Sequence, residues 1–135
     1  MHSYDVTLLH TNWPEKNPDY FAPLRDDPPH GFTYSDQTWE CYPGITGRRA
    51  ARSQFHAIAE VAAEAARSGV LLNDAGVEKT GEWLGHDENQ QVVAHLLLMA
   101  AHRAAYCGLD VQDLTDLLHA VSPAVGRAGP DGDPA

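Results

Sequence analysis

Proline is concentrated at the start of the chain, where six of the nine prolines fall within residues 1–47. Proline lacks the backbone donor that a helix interior or a central strand needs, so this density predicts no helix in that segment and only edge strands. Apolar and polar side chains alternate over residues 3–10, which predicts one short strand there. Residues 32–39 are a candidate for a second.

Aromatic side chains share this segment, which holds eight of the eleven in the chain. Disordered tails are poor in aromatic residues, because such rings supply the burial that offsets ordering entropy. We therefore expect an ordered but irregular arm that packs its rings on the rest of the chain or on a partner. The candidate interface anchors are Trp13, Tyr20, Phe21, Trp39 and Tyr42.

The remainder of the chain has helical periodicity. Apolar side chains repeat at steps of three and four over residues 48–68, which predicts a helix that ends at Gly69. Similar patterns predict three further helices, at residues 74–84, 87–107 and 110–121. The third of the four is apolar around most of its circumference, which is typical of the centre of a bundle or of a dimer interface.

These patterns together predict a mainly α fold. We expect a small bundle of three to four helices with an irregular N-terminal arm that contains one or two short strands. The predicted organisation is an arm at 1–47 packed on the bundle, a helical bundle at 48–122 and a disordered tail at 123–135.

The charge balance limits the partners that the chain can bind. There are 19 acidic and 9 basic side chains, for a net charge of −10. Direct nucleic-acid binding is not expected, since such binding depends on Lys and Arg at phosphates, whereas a basic protein partner is compatible with this charge. With no apolar run of about 20 residues, no visible secretory leader and only two cysteines, we expect a cytoplasmic protein that contacts no membrane.

Histidine and aspartate provide one resemblance to an enzyme family. His56 lies on the first predicted helix, and His86 and Asp87 follow about thirty residues later. One of Asp110, Asp113 or Asp116 completes the order. This order resembles the HD-domain metal-dependent phosphohydrolases, in which such side chains hold one or two divalent metals that activate water. The resemblance covers about 60 residues. It implies His56, His86 and Asp87 as metal ligands and Asp110 as a fourth catalytic residue.

Two further polar groups are candidate binding residues. His95, His102 and Tyr106 fall on one strip of the third predicted helix and would line a groove for a small ligand beside the arm. Arg48 and Arg49 precede the first long helix, where a phosphate would be stabilised. The sequence contains no nucleophile elbow, phosphate loop or dinucleotide fingerprint.

The sequence favours a non-enzymatic binding or regulatory protein that acts through a macromolecular partner. One form of this hypothesis is an inhibitor of a basic or nucleic-acid-binding protein, and a homodimer through the third helix is a further option. We expect no cofactor. The alternatives are an HD-domain-like phosphohydrolase and a small-ligand binder that uses the groove between the arm and the helices.

Overall fold

The computed structural model of the chain describes residues 1–11, 15–38, 41–77 and 89–125. The chain divides into two compact units, Met1–Ala100 and Ala101–Ala135. Each unit is described by itself below.

A three-stranded antiparallel sheet forms the first unit's framework. Its strands are β1 (His2–Leu9), β2 (Phe32–Ser35) and β3 (Gly44–Ala51), in the spatial order β1-β3-β2. Ile45 of the central strand pairs with Leu8 on one side and with Tyr34 on the other. The strand expected at residues 3–10 is therefore present as β1, and β2 lies in the range 32–39 where a second strand was expected. Residues 1–47 also include the first half of β3.

The two faces of the sheet have different chemistry, because successive side chains on a strand point to opposite sides. Val6, Leu8 and Ile45 are buried on the inner face. On the outer face, the hydroxyls of Thr7 and Thr46 lie 3.1 Å apart, and Arg48 forms an ion pair with Asp5. This alternation directs the core to one side of the sheet.

Two glycines allow β3 to lie close to both of its neighbours. A Cβ on Gly44 would lie 2.2 Å from the carbonyl oxygen of Leu8. A Cβ on Gly47 would lie 2.5 Å from the carbonyl oxygen of Gly31 and 2.8 Å from the ring of Phe32. Both positions therefore exclude any side chain.

The prolines of the first segment do not exclude a helix, and that expectation is wrong. A 3-10 turn at Pro18–Phe21 runs into α1 (Ala22–Asp26). Pro18 and Pro23 each occupy the first turn of their element, where the missing N–H has no intrahelical partner to lose.

The first long helix begins later than the periodicity predicts. It is α2 (Gln54–Arg67), because residues 48–51 belong to β3. The side chain of Ser53 caps the helix by accepting a hydrogen bond from the His56 N–H at 3.2 Å. Gly69, with φ of +92°, follows its end, as expected from the sequence.

The segment after α2 is extended where a second helix was expected. Asp74 forms an antiparallel bridge with Leu9, with backbone hydrogen bonds of 2.9 and 3.1 Å in the two directions. Within the predicted helix 74–84, residues 74–76 are therefore not helical, whereas Val77 is. Positions from 78 onward in that range lie outside the described residues.

The third predicted helix is present as α3 (Asn89–Ala104), which begins in the first unit and ends in the second. Its first two predicted residues lie outside the described ranges. Gly108, with φ of +77°, follows its end.

The second unit contains α4 (Val111–Val125). Asp110 caps this helix as predicted, since its carboxylate accepts a hydrogen bond from the Asp113 N–H at 3.0 Å. The helix does not stop at Pro123 as expected. The Ser122 hydroxyl donates to the His119 carbonyl at 2.9 Å, which is the acceptor that Pro123 cannot use.

The hydrophobic core lies between the sheet and α2, and the fold class is mixed α/β. The prediction of a mainly α helical bundle is wrong, because β1 and β3 form one wall of the core and α2 the other. Rings of the predicted outer arm enter this core, which includes Phe21 and Phe32. Within the described ranges, no helix is long and apolar enough to cross a membrane.

Candidate functional site

A shallow apolar groove of about 250 Å³ runs between α2 and α3 in the first unit. Its walls consist of Phe55, Ile58, Ala59 and Ala62 from α2 and of Ala94, Leu97 and Leu98 from α3. Three of the seven side chains are alanine, and such short side chains leave space between two packed helices. The groove is therefore open and almost free of polar atoms.

Large apolar side chains stand exposed on α3 beside this groove. The exposed fraction is 49% for Val93, 49% for Leu96, 40% for Leu97 and 38% for Met99. Steps of three and four residues place Val93, Leu96 and Leu97 on one face of the helix. No Asp, Glu, Lys or Arg occurs at positions 89–102. We call this row and the adjoining groove the α2–α3 face.

A second depression, of about 520 Å³, extends the groove toward the start of both helices. Phe55 lines both spaces. The Phe55 N–H, one of the unpaired donors of the first turn of α2, donates to Oε1 of Gln90 at 2.9 Å. This hydrogen bond links the beginnings of α2 and α3.

His56 lies at the edge of this depression, and its hydrogen bonds argue against a nucleophile–base pair. The Arg52 guanidinium, which can only donate, lies 2.6 Å from Nε2, so Nε2 accepts and Nδ1 carries the proton. Nδ1 lies 2.5 Å from the Ser53 Oγ and donates to it. His56 therefore cannot take the Ser53 proton in this arrangement.

A buried polar cluster holds the extended segment after α2 against α3. Nδ1 of His95 accepts a hydrogen bond from the Ala75 N–H at 3.0 Å, and Oδ1 of Asp74 accepts from the Gly76 N–H at 2.6 Å. Asp74 Oδ1 and His95 Nδ1 are 3.6 Å apart. In a catalytic triad the acid accepts the Nδ1 proton. Here Nδ1 is itself an acceptor, so the cluster has the geometry of a structural support.

The end of β1 joins the same segment through further polar contacts. Asn73 Oδ1 accepts from the Thr11 N–H at 2.9 Å and from the Thr11 hydroxyl at 3.1 Å. His10 is fully buried, with Nδ1 3.1 Å from the Leu71 carbonyl. The Leu71 N–H donates to the Tyr20 hydroxyl at 2.8 Å. These contacts set the position of residues 70–77.

The predicted anchors of the arm that the structure describes pack on their own chain. Phe21 is buried, and its ring meets that of Tyr20 edge-on at 5.0 Å. Tyr42 is half-buried, and its carbonyl accepts hydrogen bonds from Thr38. Trp13 and Trp39 lie outside the described residues. Phe21 thus serves the core, and Tyr20 connects the 3-10 turn to residues 70–77.

Tyr34, on the edge strand β2, belongs to an exposed polar cluster. Its hydroxyl donates to Asp36 at 2.8 Å, and the Arg25 guanidinium lies 5.3 Å from its ring centre. Burial, followed by the hydrogen bond to Asp36, raises the pKa of Tyr34 to about 12. The hydrogen bond that Tyr34 donates in turn lowers the pKa of Asp36. The cluster connects β2 to α1.

The two arginines expected near a phosphate site instead form ion pairs. Arg48 lies on the outer face of the sheet and contacts Asp5 at 2.7 Å. Arg49, on β3, contacts both Glu60 and Glu64 of α2. The hydrogen bond to Glu64 is the main cause that raises the pKa of Arg49. Both guanidinium groups are thus engaged by carboxylates.

The predicted strip on the third helix is divided between the two units. His95 is 2% exposed in the first unit and takes part in the buried cluster. In the second unit, His102 is buried and its ring lies 5.4 Å from that of Tyr106.

Asp110, implied as a catalytic residue by the resemblance to HD-domain phosphohydrolases, is exposed and acts as the cap of α4.

The residues implied as metal ligands are only partly described. His86 and Asp87 lie outside the described residues, and His56 contacts Arg52 and Ser53. Across residues 1–11, 15–38, 41–77 and 89–125, no three His, Cys, Asp or Glu side chains are placed to hold a metal ion.

Comparison with known proteins identifies no relative. No protein-family model matches the chain, and neither a curated protein nor a solved structure matches it.

Sequence reasoning did not locate the α2–α3 face as a whole. It identified the apolar third helix as a possible dimer interface, but it placed the main partner contacts on the aromatic arm and named no residue of α2 in the groove. The α2 side of the groove could have been predicted from the sequence, because Phe55, Ile58 and Ala62 lie on one apolar stripe of the helix. In the structure this stripe is only partly covered, since Phe55 and Ala62 are half-buried whereas Ile58 is buried.

Proposed function

We propose that this protein is a non-enzymatic binding protein that contacts another protein through the α2–α3 face. The supporting observation is the row of exposed apolar side chains on α3. Exposed apolar residues are ordinary when scattered singly, but a contiguous patch with a neighbouring groove is typical of an interaction site. Val93, Leu96 and Leu97 form such a patch.

The polar clusters favour binding over catalysis. Nε2 of His56 and Nδ1 of His95 accept hydrogen bonds, and Nδ1 of His56 donates one to Ser53. None of these nitrogens is therefore placed to take a proton from a neighbouring nucleophile. Arg48 and Arg49 are paired with carboxylates. With a net charge of −10, direct binding of nucleic acid is disfavoured as well.

We place the protein in the cytoplasm as part of this proposal. Cys41 and Cys107 are both free and exposed. Exposed free thiols are compatible with a reducing compartment, where disulfides rarely persist.

Photo-crosslinking in living cells tests which surface is used. A photoreactive amino acid at Val93 samples the α2–α3 face, and the same amino acid at Thr46 samples the exposed outer face of the sheet. We expect a discrete crosslinked species from position 93 and none from position 46. Equal crosslinking from both positions, or none from position 93, would contradict the proposed function.

A further inference from the structure

We propose that a pocket between the loop after α1 and the end of α2 binds a zwitterionic amino acid. The pocket has a volume of about 430 Å³, which falls within the usual range of about 300–1,000 Å³ for small-molecule sites. Residues 27–30 form one wall, and Glu64, Arg67 and Ser68 form the other. This site lies within the first unit, and it goes beyond the proposed function.

The pocket and the α2–α3 face lie on different sides of α2. Phe55 and Ala62 line the apolar groove, whereas about 3.6 residues per turn place Glu64 and Arg67 on the opposite side of the helix. A ligand can therefore occupy the pocket without touching the α2–α3 face. Either proposal can fail while the other stands.

The pocket brings together charged side chains that have no partner of their own. Among the described residues, the side chains of Asp27 and Arg67 form neither an ion pair nor a hydrogen bond, although both line this space. Arg25, Arg48 and Arg49, by contrast, each contact a carboxylate. Because the two charges at the pocket do not neutralise each other, both are available to a ligand.

Both walls are held in place by hydrogen bonds that do not use those charges. The carbonyl of buried Pro29 accepts a hydrogen bond from the Phe32 N–H at 2.9 Å. Pro28 precedes it, and two consecutive proline rings restrict the loop further because each fixes φ. On α2, the Ser68 hydroxyl donates to the Ala65 carbonyl at 2.7 Å. Fixed walls favour binding, since little conformational freedom is lost when a ligand enters.

The charges select a ligand that carries both signs. The Arg67 guanidinium offers paired N–H donors that match a carboxylate, and the imidazole of His30 lines the same space as a further donor. The Asp27 carboxylate accepts hydrogen bonds from an ammonium group. A simple anion would be repelled by Asp27 and a simple cation by Arg67. The half-buried ring of Pro28 supplies apolar surface for the side chain of the amino acid.

A nuclear magnetic resonance titration of the full, ¹⁵N-labelled chain tests the proposal. Each of the standard amino acids is added at constant pH to about 20 mM. We expect at least one of them to shift the amide signals of Asp27, His30 and Ser68 in a saturable way. The expected dissociation constant is about 1 mM, because ion pairs at exposed side chains are individually weak. No saturable shift at these positions with any amino acid would overturn the proposal.

Analogues of the amino acid that binds best make the test specific for its two charges. The analogue without the ammonium group and the analogue without the carboxylate should each bind at least about tenfold more weakly. Binding of either analogue as tight as that of the amino acid would reject a site that recognises both charges.

Substitutions in the pocket assign each charge to its residue. Arg67→Gln and Asp27→Asn should each raise the dissociation constant at least about tenfold, and both variants should stay folded by circular dichroism because these side chains are exposed. Asp26→Asn is the matched control, since Asp26 is an exposed neighbour that does not line the pocket, and it should bind like the parent. Undiminished binding by Arg67→Gln or by Asp27→Asn would contradict the assignment.

Discussion

Replacing Gly44 with alanine should lower the free energy of unfolding by about 3 kcal/mol, the upper end of the usual range for overpacking. The new Cβ would lie 2.2 Å from the Leu8 carbonyl oxygen and 2.8 Å from a methyl carbon of Leu9. Because the first of these atoms belongs to the backbone, β1 and β3 would have to separate. Thermal unfolding followed by circular dichroism should show a drop in Tm of about 10 °C.

Gly69→Ala is the control for the alanine side chain itself. Gly69 has a φ of +92°, but no atom of the described residues lies within 4 Å of the place that a Cβ would take. Only backbone strain of about 1–2 kcal/mol is therefore expected there. If Gly44→Ala unfolds at the same temperature as the parent, β1 and β3 do not approach as closely as described. The sheet register at Leu9 and Gly44 would then have to be revised.

The second large effect is expected from Asp74→Ala, which should cost about 2–3 kcal/mol in urea unfolding. Asp74 is 3% exposed, and its Oδ1 accepts a hydrogen bond from the Gly76 N–H at 2.6 Å. Removing the carboxylate leaves this buried donor without its acceptor. The segment that supports His95 and α3 would loosen as a result.

Asp74→Asn separates the hydrogen bond from the charge. The amide oxygen of asparagine can still accept from the Gly76 N–H, so this variant should lose less stability than Asp74→Ala. Equal losses in the two variants would show that the carboxylate charge, rather than the hydrogen bond to Gly76, is what the fold requires.

The first strand could be predicted from the sequence, whereas the central strand could not. Val6 and Leu8 alternate with polar residues and so identify β1. In β3, by contrast, the inward positions include Gly47 and Arg49 beside Ile45. Glycine is there because Phe32 occupies the space, and the charge of Arg49 is compensated by Glu64 of α2. Both causes are tertiary, so no local pattern reveals them.

The wrong prediction of the fold class followed from the failure to predict β3. Without β3, the aromatic segment had no central strand to pair with and was interpreted as an irregular arm on a helical bundle. The proline argument failed for a local reason, since Pro18 and Pro23 stand at helix starts. A high density of prolines argues against the interior of a helix, but it does not argue against the first turn of one.

For the candidate site, the sequence indicated the helix that carries the proposed surface but not the surroundings of that helix. An apolar circumference on α3 indicated a bundle centre or a dimer interface. The fold covers one side of α3 in the first unit, with Ala94 buried, and leaves Val93 and Leu96 exposed. Which side of such a helix is covered depends on where the sheet and α2 lie, and that information is absent from the helix itself.

The central claim is that the exposed row of α3 contacts a protein partner. The most direct test is affinity capture from cells with the full-length chain and with its Leu96→Glu variant, with Thr46→Glu on the exposed outer face of the sheet as the matched control. We predict that the parent and Thr46→Glu each co-purify with the same protein at a fixed ratio and that Leu96→Glu does not. Co-purification of that protein with all three chains, or with none of them, would contradict the claim.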